Sequence, residues 1–258
     1  MKGRVQFWLA ALAILLPVAS AGEIGPEERR SDTGAMSPET RAMQADDTAN
    51  PGMFAVLEGD EIWRAKAGPE ARSCADCHGQ PSRLRGVAAR YPAWSTARGA
   101  PIDLAGQVNE CRTARQGAAA FQAESASLLA VTALLGHASR GEPIAPAPGE
   151  DMRTARERGR DIFTRRIGQL NLSCAACHDD HWGKRLAGTP IPQAHPVGYP
   201  IYRLEWQAVG SLQRRFRNCM SGVRAEPYPY GAPEFVDLEA YLMERAAGLP
   251  LETPAVRP

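Results

Sequence analysis

The stretch Ser173-Cys174-Ala175-Ala176-Cys177-His178 decides how the rest of the chain is read. One hundred residues earlier stands a near-copy, Ser73-Cys74-Ala75-Asp76-Cys77-His78. Cys-x-x-Cys-His is the attachment signature of c-type haem. The two thiols add across the porphyrin vinyl groups, and the adjoining imidazole is thereby aimed at one face of the iron. Cys-x-x-Cys alone also serves zinc sites and redox dithiols. Two copies, each followed by histidine, point to two covalently attached haems, with His78 and His178 as iron ligands.

Outward from each motif the repeat continues. Gly59-Asp60-Glu61-Ile62-Trp63 starts fifteen residues before Cys74, and Gly159-Arg160-Asp161-Ile162-Phe163 starts fifteen before Cys174. Both read as helices and resemble the first helix of cytochrome c domains. In such domains the glycine lets that helix cross the C-terminal one closely, and the aromatic fills the contact. On the far side, Leu128, Val131 and Leu135 fall at helical spacing, as do Phe235, Leu238 and Leu242. Gly141-Glu142-Pro143 and Gly248-Leu249-Pro250 then stop the two helices. These stripes are core and carry no chemistry. The expected fold is all-α, two tandem cytochrome c-like haem domains over residues 51–147 and 148–258.

Composition bounds the rest. The chain has 258 residues, 44% of them hydrophobic, and a formal charge of +1. Lys2 and Arg4, the apolar run Phe7 to Leu16 and Ala19-Ser20-Ala21 read as a cleavable secretory signal over residues 1–21. That apolar run is shorter than the roughly 20 residues a bilayer span needs. Without residues 1–21 the charge balance is −1, which gives no reason to expect nucleic-acid binding. Residues 22–50 are polar, rich in turn formers and poor in apolar periodicity, and read as an N-terminal arm, extended and either mobile or laid over another surface. A periplasmic location fits export, since c-type haem is attached outside the bacterial cytoplasm.

Of six cysteines, four belong to the motifs, which leaves Cys111 and Cys219. In an oxidising compartment a disulfide between them is the simplest reading. Their positions favour another. Cys111 lies thirty residues before Gly141 and Cys219 twenty-nine before Gly248, where a cytochrome c offers its sixth iron ligand. A thiolate on each iron is the preferred assignment. Met220 and the histidines His137 and His195 are competing ligands, but no methionine lies between residues 54 and 151. The second repeat is longer, with 42 residues from Cys177 to Cys219 against 34 from Cys77 to Cys111. Around Cys219 the chain reads Arg214-Arg215-Phe216-Arg217-Asn218-Cys219. On a helix Arg215 would share a face with Cys219, where it would lower the thiol pKa and attract anions. A solvated basic face is the competing reading.

Paired c-haem motifs, each with a distal cysteine, and Arg215-x-x-x-Cys219 after the second resemble the SoxA family. These are dihaem cytochrome subunits of the periplasmic thiosulfate-oxidising SoxAX complex. The resemblance covers about residues 51 to 250. It implies an L-cysteine S-thiosulfotransferase that couples thiosulfate oxidatively to a cysteine of the sulfur carrier SoxYZ. It also implies His178 and Cys219 as ligands of the catalytic haem, Cys219 often as a persulfide, and Arg215 as the substrate arginine. His78 and Cys111 would ligate the first haem. The implied partners are a SoxX-type monohaem subunit and a small cytochrome c acceptor. The alternative is a dihaem electron-transfer cytochrome without its own substrate. A dihaem peroxidase is disfavoured, because its peroxidatic iron needs an open or displaceable distal site.

Overall fold

The computed structural model describes residues 23–258, so the secretory signal read at residues 1–21 lies outside the described residues. The first half begins with helix α1 (Pro38–Ala45) and α2 (Met53–Arg64), followed by the one-turn α3 (Cys74–His78). A hairpin of β1 (Ala93–Ser95) and β2 (Ala100–Ile102) leads into α4 (Leu104–Gln116), and α5 (Ala126–Ala138) closes the half. The second half repeats the order: α6 (Glu150–Thr164), α7 (Cys174–His178), a small hairpin β3 (Arg185–Leu186) and β4 (Thr189–Pro190), the hairpin β5 (Ile201–Arg203) and β6 (Ala208–Gly210), α8 (Leu212–Gly222) and α9 (Pro233–Arg245). A last strand, β7 (Ala255–Arg257), joins β5 in parallel.

Each half is organised by one helix crossing, α2 on α5 and α6 on α9. The repeat glycines sit at the crossings. A Cβ on Gly59 would stand 2.2 Å from the Ala130 carbonyl oxygen, and one on Gly159 would stand 2.0 Å from that of Asp237. Only hydrogen fits there. Trp63 and Phe163, four residues on, are almost fully buried beside these contacts. The stripes Leu128, Val131, Leu135 and Phe235, Leu238, Leu242 are buried as expected. The fold is mostly helical, and the strands are two or three residues long. The hairpins went unread in the sequence because such short strands show no alternation.

The halves share a third core of Ala89, Ile144, Val197, Met243, Ala246 and Leu251. Main-chain bonds reinforce it: Ile144 N–H donates to Leu249 O at 2.9 Å and Leu251 N–H to Glu142 O at 3.0 Å. The arm departs from a purely extended reading. It carries α1 and two short 3-10 turns, and it is laid on the second half and C-terminal tail. Thr33 Oγ1 donates to Glu252 at 2.7 Å, Arg257 Nε donates to Asp32 at 2.7 Å, and Val256 N–H donates to Gln44 Oε1 at 3.0 Å. Polar bonds and two isolated apolar anchors, Ile24 and Met36, hold it down. That explains its lack of periodicity.

Candidate haem and thiolate sites

Both attachment motifs form a single helical turn whose start is fixed by serine. Ser73 Oγ accepts from Asp76 N–H at 3.0 Å, and Asp76 returns the favour to Ser73 N–H at 2.8 Å, a complete capping box. Ser173 Oγ accepts from Ala176 N–H at 3.1 Å. The turn places the second cysteine and the histidine side by side. His178 Nδ1 donates to the Pro192 carbonyl at 2.7 Å, which fixes the tautomer with a lone pair on Nε2. Burial pulls the His178 pKa down to about 4, against the Pro192 bond that pulls it up, so the ring is neutral at pH 7. A neutral imidazole with Nε2 uncommitted is a metal ligand. Burial also pushes the Cys174 thiol up to about 12, with the nearby charge of Cys219 adding to the effect. A thioether carries no proton, so this burial suits a sulfur bonded to porphyrin.

All six cysteines are free thiols, Cys111 and Cys219 included. Cys111 lies on α4 and Cys219 on α8, and each sits near the attachment cysteines of its own half. The charge of Cys111 bears on Cys74, and that of Cys219 on Cys174 and Cys177. Two of the competing ligands are otherwise engaged: Met220 packs on the apolar core, and His137 Nε2 lies 3.6 Å from Asp47. His195 donates Nδ1–H to Arg30 O at 2.9 Å and keeps its buried Nε2 without a partner. The donor sets Cys74, Cys77, His78 and Cys174, Cys177, His178 fit covalently bound haem, with Cys111 and Cys219 in the same halves.

Beyond the motifs the repeat offset grows to 108, because the second half carries eight extra residues around β3 and β4. Tyr91-Pro92 then matches Tyr199-Pro200, β1 matches β5, β2 matches β6, and Cys111 matches Cys219. The matched helices start alike, α4 capped by Asp103 on Gly106 N–H at 2.7 Å and α8 by Ser211 on Arg214 N–H at 3.0 Å. Gln213 Nε2 on α8 donates to Asp103 Oδ2 at 2.8 Å, so one buried bond ties the two distal helices together.

The same offset shows where the halves differ. Position 107, one helical turn before Cys111, is glutamine, and its Nε2 donates to Cys111 Sγ at 3.3 Å. The matching position is Arg215. Its guanidinium has no hydrogen-bond or ion-pair partner among the described residues. Burial works against its charge, but the Cys219 thiolate, then Tyr199 and Glu205, outweigh that and raise its pKa above the usual arginine value. Ser95 in β1 likewise matches Arg203 in β5. Arg203 is nearly buried, pairs with Glu205 at 3.0 Å through Nη2, and leaves its buried Nε unpartnered. Burial, then the charge of Arg215, hold its pKa below the usual value. Burial pushes the Tyr199 phenol up to about 12, which keeps it a hydrogen-bond donor. Motif spacing alone did not reveal Gln107 or Arg203. The 108-residue offset is the signal that finds them.

Comparison with known proteins agrees with this geometry. The SoxA/TsdA cytochrome c domain model matches twice, at residues 58–144 and 158–251. The L-cysteine S-thiosulfotransferase subunit SoxA of Pseudaminobacter salicylatoxidans is 36% identical over 85% of this chain and 77% of its own. That of Rhodovulum sulfidophilum is 35% identical over 90% and 81%. The crystal structure of SoxXA from P. pantotrophus superposes with a TM-score of 0.85 at 32% identity, covering 88% of this chain and 86% of that one. Covalently bound haem is the cofactor such domains imply. The chain belongs to the SoxA/TsdA cytochrome c family, with a cytochrome c domain in each half.

Proposed function

We propose that this chain is the dihaem subunit of a periplasmic L-cysteine S-thiosulfotransferase, and that its second half carries the reaction. The observation that carries the reading is the contrast between Gln107, which is bonded to Cys111, and Arg215, a half-buried cation beside Cys219 with no side-chain partner among the described residues. A half-buried guanidinium with no protein partner is open to an anion that completes it. Thiosulfate is a small dianion, and Arg215 with the Nε of Arg203 and the Tyr199 phenol offers it charge-assisted hydrogen bonds. Relatives named for this activity support the assignment.

The reaction joins the terminal sulfur of thiosulfate to the thiol of a carrier cysteine. One S–S bond forms, the thiol proton is lost and two electrons are released. Cys219, as thiolate or persulfide, holds the sulfur during the exchange, while Arg215 orients the sulfonate end. Cys174, Cys177 and His178 would hold a c-type haem, which would supply a one-electron acceptor. In the first half, where Cys74, Cys77 and His78 would hold a haem, Gln107 offers thiosulfate no charge beside Cys111. The carrier is a SoxYZ-type protein, the partner a SoxX-type monohaem subunit, and the final acceptor a small cytochrome c.

Arg215→Ala is expected to keep both haems and to lower thiosulfate-dependent reduction of cytochrome c by about one to two powers of ten. That is the size of one lost charge-assisted contact, about 1.5–3 kcal/mol, when it is made in the transition state. Arg215→Lys keeps the charge without the planar fork and should recover part of the rate. Arg203→Ala should act in the same direction with a smaller effect, since Glu205 already neutralises part of its charge. Steady-state assays with matched haem content check all three. Unchanged turnover in Arg215→Ala would return the basic cluster to a solvated surface feature.

A further inference from the structure

The loop after the second haem motif is held by a part of the chain 163 to 165 residues away in sequence. Gln193 follows Pro192, whose carbonyl accepts the His178 Nδ1–H bond. Gln193 is 3% exposed, and both ends of its side-chain amide are taken by the N-terminal arm. Arg30 N–H donates to its Oε1 at 2.9 Å, and its Nε2 donates to Glu28 O at 3.1 Å. Two residues on, His195 Nδ1 donates to Arg30 O at 2.9 Å. The arm is itself pinned on either side. Arg29 Nη1 donates to Ala247 O at 3.1 Å, and the Arg30 guanidinium lies 5.0 Å from the centre of the Trp182 ring. Buried Ile24 and Met36 anchor its ends, and Asp32 and Thr33 bind the Arg257–Glu252 pair. Among the described residues the His78 ring makes no hydrogen bond.

We propose that residues 24–36 form a strap that holds the Pro192 carbonyl in place and thereby fixes the orientation and donor strength of the His178 imidazole. This rests on the reading of His178 as an iron ligand. A ligating imidazole whose other nitrogen donates to a carbonyl is a stronger electron donor, and the bond sets its ring plane. A loop that carried only its own contacts would let that carbonyl drift. Gln193 and the backbone of Arg30 are positioning groups, remote from the reacting sulfur. They explain why residues 24–36, polar and with no core of their own, are ordered against the second half.

The test uses the full chain with both haems attached. Gln193→Met keeps the buried volume but removes both amide bonds, and Arg30→Pro removes the main-chain donor from the arm side alone. Electron paramagnetic resonance and redox titration read each haem separately, and the first haem serves as an internal standard. The expected result in both variants is a shifted or broadened low-spin signal and a higher midpoint potential for the second haem, with the first unchanged. Spectra and potentials identical to the parent in both variants would overturn the strap, and so would equal changes at both haems. If the parent itself lacks a histidine-ligated second haem, the ligand assignment has failed rather than the strap.

Discussion

Cys219→Ala is expected to retain two haems per chain and to lose carrier-dependent thiosulfate oxidation by about three powers of ten or more, as when a nucleophile is removed. The two halves of that result have separate causes. The proposed attachment residues Cys174, Cys177 and His178 lie on α7, whereas Cys219 lies near the end of α8. Alanine is a good helix former, so α8 should persist. The sulfur that would receive the substrate is gone, and Arg215 loses the thiolate charge that sustains it. The second low-spin signal should change with it. Cys111→Ala should alter only the first haem's signal and leave turnover largely intact. Near-normal turnover by the Cys219 variant would leave the chain an electron-transfer cytochrome without its own substrate.

Gly159→Ala should destabilise the protein although it improves helix propensity. Alanine in a helix interior gains about 1 kcal/mol over glycine. Here its methyl would stand 2.0 Å from the Asp237 carbonyl oxygen and 2.8 Å from the Tyr241 Cβ. Helices α6 and α9 must part by about 1 Å or more to reach ordinary contact distance. Overpacking of this kind costs about 1–3 kcal/mol and sometimes more. Contact with rigid backbone on an apolar crossing puts the cost at the top of that range. The net loss, about 2 kcal/mol, lowers Tm by roughly 4–8 °C for a chain of this size. Phe163 and His178 have ring centres 6.5 Å apart, so the second haem signal should broaden too. Thermal unfolding of the haem-loaded protein measures the shift. A Tm equal to or above the parent's would show that the crossing is looser than the structure has it.

Much of this architecture was legible before any coordinates, for definite physical reasons. Covalent attachment demands two thiols and an imidazole at fixed spacing, so Cys74–His78 and Cys174–His178 stand out in any context. A helix crossing that admits only hydrogen leaves a glycine with an aromatic four residues later, and both copies were visible. Cys111 and Cys219 stood out as candidates because they fall at matching places in the repeat, and the structure sets each near the attachment cysteines of its own half. Other features left no local trace. The three-residue strands β1, β2, β5 and β6 are too short for alternation to register. Arg203 and Gln107 became meaningful only through the 108-residue offset, which the eight-residue insertion had masked. The arm's placement rests on scattered side chains, Asp32, Thr33 and Gln44 among them, and on main-chain groups of Glu28 and Arg30, which together make no periodic pattern.

The central claim is that Arg215 and Cys219 make the second haem domain a site for coupling thiosulfate to a thiol. The most direct measurement follows one reaction mixture by two readouts: intact mass of the sulfur carrier and absorbance of the acceptor cytochrome c. The purified chain, with its monohaem partner, should add one thiosulfate-derived group per carrier cysteine and reduce two cytochromes for each group added, because one S–S bond releases two electrons. Arg215→Ala should slow both readouts together and leave the ratio at two. Cytochrome reduction without any mass gain on the carrier would contradict the account.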